Sequence, residues 1–118
     1  MNDLRASAQF PDEQSEDGRF VRQQDAFREW IRGDGISPYP VVAGRYHLYV
    51  SLACPWAHRT IVTRKLKRLE GAIPMTVVDP IRDERGWRFG ERFVSELYRA
   101  TDPHYRGRVT VPVLWDTQ

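Results

Sequence analysis

The ten residues SLACPWAHRT, 51–60, hold the only cysteine of the chain, Cys54, with Pro55 and Trp56 directly after it. They fall where an apolar strand-like pattern gives way to a helical one. A cysteine at such a junction faces unpaired backbone N–H groups and the positive end of a helix dipole, which favour a thiolate able to attack sulfur. The alternative is a small, buried, inert residue, the commoner fate of a lone cysteine. One cysteine permits neither an internal disulfide nor a cysteine cage for zinc, so any role of the thiol is nucleophilic, regulatory or intermolecular. The second candidate is the Val111-Pro112 step. If that bond is cis, the extended backbone of Val111 keeps N–H and C=O groups free to pair with a peptide-like ligand as an added strand. If it is trans, Pro112 is an ordinary edge-strand proline.

These residues need elements to hold them. YHLYV, residues 46–50, is rich in aromatic and β-branched residues and predicts a first strand. Pro55 suits the first turn of a helix, where its missing N–H is no loss, and Ala57, Ile61, Val62, Leu66 and Leu69 recur behind it at helical spacing, ending near Gly71. PMTVV, residues 74–78, predicts a second strand, residues 93–98 start a second helix that ends before Pro103, and VTVPVLW, residues 109–115, predicts a third strand. Strand, helix, strand, helix, strand indicates an α/β layer with its first two strands parallel. A chain of 118 residues supports one core. The third strand is expected to pair with chain further along, so the sequence reads as truncated. Ahead of the layer, residues 1–19 are expected to be a mobile arm. Residues 20–31, FVRQQDAFREWI, are compatible with a short helix but are better read as an arm that docks aromatics on the core.

Composition excludes several classes. Apolar residues make up 41% and charged residues 29% of the chain, which fits a soluble globular domain. No long apolar run or leader pattern is present, so the expectation is cytoplasmic, with no membrane. A formal net charge of +2 does not point to nucleic acid. The basic cluster Arg64, Lys65, Lys67 and Arg68 reads as the solvated last turns of a helix, and residues 82–85 as a charged loop. His58, one turn after Cys54, can support a thiolate but reads more simply as an exposed helical histidine. His47 reads as structural and His104 as solvated. A Cys-x3-His metal site lacks further ligands, so no metal is expected. Trp30 and Trp115 read as core or interface aromatics.

Taken together, CPWAHR, the Gly86-Trp87 pair, and SELYRATDPHYRGRVTVPVLWD resemble the glutathionyl-hydroquinone reductases, the Xi-class glutathione transferases, over about residues 20–116. The resemblance implies a thioredoxin-like α/β glutathione-binding domain at residues 45–118, incomplete, preceded by a partly disordered arm over 1–44. It implies Cys54 as catalytic nucleophile, with Trp87, Val111 and Pro112 binding glutathione. Pro55, Trp56, His58 and Arg92 are possible support. The family's glutathione-holding arginine is left between Arg92 and Arg99, with Ser95 at the matching position. The co-substrate implied is glutathione, the substrate a glutathionyl-hydroquinone or similar aromatic conjugate, and the full-length parent a homodimer. In this reading the fragment is inactive alone. An omega-like transferase, a glutaredoxin-type deglutathionylase and a non-catalytic glutathione-binding module remain as alternatives.

Overall fold

A computed structural model describes Glu13 and residues 15–118. Three strands form the central sheet in the order β2-β1-β5: β1 is Tyr46–Val50, β2 Met75–Val77 and β5 Val113–Asp116. As the sequence predicts, β1 and β2 run parallel, with Leu48 opposite Met75 and Val50 opposite Val77. β5 runs antiparallel to β1, with Tyr46 opposite Asp116 and Tyr49 opposite Val113. Among the described residues its partner is β1, which lies earlier in the chain, and its other edge carries no strand. It starts later than expected, because Pro112 offers no N–H to the ladder.

Helix α1, Pro55–Leu66, joins β1 to β2. Pro55 starts it as expected, but it stops short of Gly71. Arg68 takes a left-handed conformation (φ 55°), its N–H bonds to the Lys65 carbonyl at 3.1 Å, and the N–H of Leu69 returns to Arg64 at 2.9 Å. That pair of bonds is the Schellman closure, so a non-glycine residue does what Gly71 was expected to do. Arg64 adds a bond from Nε to the Ile73 carbonyl at 2.7 Å, so this member of the basic cluster ties the helix end to the turn before β2. Ala57 is the one buried residue of α1. Val62 and Leu66, expected on its apolar face, are 39% and 77% exposed.

A two-stranded hairpin that the sequence pattern did not signal follows β2: β3, Arg88–Phe89, and β4, Arg92–Phe93, turn through Gly90 at φ 58°. Helix α2, Val94–Thr101, follows directly. Glu96 accepts the N–H of Phe93 at 2.6 Å and fixes its start. The interior has two clusters, one of Leu48, Val50 and Ala57 and one of Val78, Val94 and Val111.

Of the N-terminal stretch, residues 1–12 and 14 lie outside the described residues. Residues 20–31 form no helix. Phe27 docks, with its ring centroid 5.7 Å from that of Tyr98 and 5.4 Å from that of Tyr105. Trp30 does not: at 78% exposed it is no core residue. Residues 31 and 39 pair as an isolated bridge.

Candidate functional site

Cys54 is the N-cap of α1, its backbone extended and its carbonyl accepting the N–H of His58 at 3.1 Å. The preceding turn is built on Ser51, whose backbone carbonyl accepts the Cys54 N–H at 3.1 Å and whose hydroxyl accepts the Ala53 N–H at 3.1 Å. Ser51 is fully buried, so the turn that presents the thiol is anchored from inside. No acidic side chain occupies the first turn of α1, leaving its free N–H groups available to an anion. The cysteine is half-buried and packs against both core clusters. It is thus neither fully interior nor at the surface.

Its Sγ–H points to the carbonyl of Val111 at 3.6 Å, and the Val111-Pro112 bond is cis. Val111 is itself buried, while its backbone N–H meets no acceptor among the described residues. Tyr98 holds the approach to it: the hydroxyl donates to the Thr110 carbonyl at 3.2 Å and accepts the Thr110 N–H at 3.4 Å. Trp87 packs against the cluster that holds Val111 and lines a cleft with it. Gly86 before it is buried and has φ 98°, a turn that costs a side-chain-bearing residue strain. The Trp87 carbonyl accepts the Val94 N–H at 2.9 Å, tying the tryptophan to the start of α2.

One cleft of about 590 Å³ gathers these groups. Cys54, Pro55, Trp56, Trp87, Val111 and Pro112 all line it. His58 and Arg92 do not: His58 is exposed on α1, and Arg92 pairs with Glu96 at 3.7 Å and lies over Phe89. Arg99 is likewise exposed and away from the lining. The arginines that do line it are Arg22 and Arg108, and the far wall is residues 24–27 with Tyr98 and Tyr105. Sequence reasoning missed these, although the aromatic docking expected of residues 20–31 was the available signal. Arg22 and Arg59 approach the Trp56 ring at 5.3 and 5.8 Å, placing positive charge beside an indole of the cleft. Burial pushes the Tyr105 hydroxyl pKa up, with Tyr98 and Asp25 adding to the shift and Arg108 opposing it. Tyr105 therefore stays a neutral donor to the Arg108 carbonyl.

Residues 53–118 match the family model described as glutathione S-transferase, N-terminal domain. The chain belongs to that family. Its thioredoxin-like domain accounts for the parallel β1-α1-β2 unit and for the strand that opens after Pro112. The chain is 49% identical to the glutathionyl-hydroquinone reductase YqjG of Escherichia coli over 89% of its own length and 38% of that protein. It is 45% identical to an omega-like glutathione S-transferase of Schizosaccharomyces pombe, over 88% of its length and 37% of that protein. Among solved structures, the Xi glutathione transferase ECM4 of Saccharomyces cerevisiae in complex with glutathione superposes with a TM-score of 0.78 at 38% identity, covering 86% of this chain and 41% of that one. The chain thus spans less than half the length of these glutathione transferases.

Proposed function

We propose that this chain supplies the glutathione-binding half of a glutathionyl-hydroquinone reductase, with Cys54 as its nucleophile. The observation that carries the reading is the single cleft in which the thiol of Cys54, the indole of Trp87 and the backbone of Val111 converge. A glutathione backbone laid along Val111 pairs with it as an added strand, which brings the conjugate's sulfur toward Cys54, with Trp87 against the tripeptide.

The Cys54 thiolate attacks the sulfur of the conjugate. A sulfur–sulfur bond forms, the sulfur–ring-carbon bond breaks, and the ring carbon takes up a proton, leaving hydroquinone and a mixed disulfide on Cys54. The arene carbon is reduced and the two sulfurs are oxidised. A second glutathione thiolate then attacks the glutathione sulfur of that disulfide, freeing Cys54 and leaving as oxidised glutathione. No second protein thiol enters, in keeping with CPWA in place of a C-x-x-C pair. The reading places the reaction in the cytoplasm, where glutathione is kept as thiol.

The test is intact-mass measurement of the chain after incubation with a glutathionyl-hydroquinone, alongside an assay for released hydroquinone. A glutathione adduct with hydroquinone release, abolished in Cys54→Ser, is the expected result. Release that survives Cys54→Ser, or the absence of an adduct both in this chain and in a full-length version, overturns the reading. The similarity to an omega-like transferase favours a second reading, a general deglutathionylase using the same cysteine. Faster adduct formation from a small aliphatic glutathione disulfide than from the aromatic conjugate selects that one.

A further inference from the structure

Among the described residues Glu13 is the one charged residue in the buried interior, at 3% exposure. Burying a carboxylate is costly unless it is paired, and nothing in the chemistry above uses it. Its partners explain it. Oε1 lies 3.1 Å from Nε of Arg108, whose side chain is itself only 16% exposed. The same oxygen accepts the backbone N–H of Gln23 at 3.1 Å, and the Glu13 carbonyl accepts the N–H of Val21 at 2.5 Å.

Of the two groups that Glu13 holds, one lines the cleft and the other is flanked by residues that do. Gln23 lies between Arg22 and Gln24, which line the cleft with Asp25, Ala26 and Phe27, and no helix or strand fixes this stretch. Arg108 also lines the cleft and lies three positions before Val111. We infer that Glu13 is a positioning residue: one buried carboxylate sets the distance between the 22–27 wall and the loop that carries Val111. The inference rests on the functional reading above. An ion pair shielded from water is not screened as a surface pair is, so the latch holds at physiological salt. Phe27, stacked on Tyr98 and Tyr105, anchors the far end of the wall.

The experiment is Glu13→Gln in the whole chain, a change that keeps the size and the acceptor for Gln23 and removes the charge. Adduct formation on Cys54 is followed against the concentration of a glutathionyl-hydroquinone, and tryptic cleavage after Arg22 and Arg28 is timed separately. The half-saturating concentration is expected to rise about fivefold with the limiting rate unchanged, and cleavage in the wall to accelerate. Unchanged half-saturation and unchanged cleavage overturn the inference, and so does an equal loss in limiting rate and half-saturation, which marks a general structural role. Should Glu13→Gln fail to fold, Glu13→Asp, which keeps the charge on a shorter reach, is read in the same way. If the wild-type chain forms no adduct, a full-length version decides the functional reading, and the tryptic rates alone decide the latch.

Discussion

At the scale of single residues, the cleft depends on how the backbone around Val111 is held rather than on how many charged groups surround Cys54. Tyr98 is the clearest case. Its hydroxyl engages both backbone groups of Thr110, while its ring stays in contact with Phe27 and Tyr105. Tyr98→Phe keeps the ring contacts and removes the two hydrogen bonds, a loss of about 1 kcal/mol. Because the loss falls on the residue before Val111, it is expected as a several-fold higher half-saturating concentration of glutathione conjugate, with far-ultraviolet circular dichroism unchanged. Mass titration of the Cys54 adduct checks it, and a variant that binds as the wild type does would show that Thr110 is held by other means. Arg92→Gln, by contrast, is expected to leave that titration unchanged, since Arg92 faces Glu96 and Phe89 and not the cleft.

At the scale of elements, the site is presented by a helix that rests on the sheet through Ala57, with half-buried Ile61 beside it. Ala57 has no exposed surface and packs on Leu48 and Val50. Ala57→Leu overpacks that contact and is expected to cost about 1–3 kcal/mol, read by denaturant unfolding. The sheet is pinned at its open end by Arg45, which donates from Nε and Nη2 to the two carboxylate oxygens of Asp116 at 2.8 and 2.7 Å. The Arg45 guanidinium holds the Asp116 carboxyl below the ordinary carboxylate range. A carboxyl depressed in the folded state stabilises the fold above its unfolded value, and that stability is lost as pH falls through its folded value. Asp116→Asn is therefore expected to lower the thermal midpoint at neutral pH and to flatten its fall below about pH 4, measured by calorimetry across acid pH. What could be read from sequence divides along the same line. Strand β1 was legible because YHLYV is rich in aromatic and β-branched residues, and the start of α1 because proline fits there. Its end was not, since Arg68 adopts a backbone that the sequence rules reserve for glycine. The β3–β4 hairpin has two residues per strand, too few to carry a period. The cleft floor came from short motifs. The rest of the cleft lining, Phe27 with Tyr98, Tyr105 and Arg108, is brought together by tertiary contacts between distant parts of the chain.

At the scale of the whole molecule, apolar surface remains open along α1 and the turn before it: Leu52, Trp56, Val62 and Leu66 are 71%, 61%, 39% and 77% exposed. Neighbouring exposed apolar groups favour association. Sedimentation velocity of the chain is expected to show a coefficient that rises with concentration and falls back in a Val62→Lys, Leu66→Lys double variant. A coefficient independent of concentration in the wild type would refute this. The cleft has an optical consequence as well. Of four tryptophans, Trp56 and Trp87 line the same cavity as the only thiol, and Trp30 and Trp115 do not. Binding of a glutathionyl-hydroquinone in the cleft, before Cys54 attacks and the ring leaves, brings an absorbing ring beside two indoles and leaves the other two as a constant background. With Trp30→Phe and Trp115→Phe that background is gone, and the chain becomes its own unlabelled fluorescent gauge of occupancy, readable on the timescale of the chemistry.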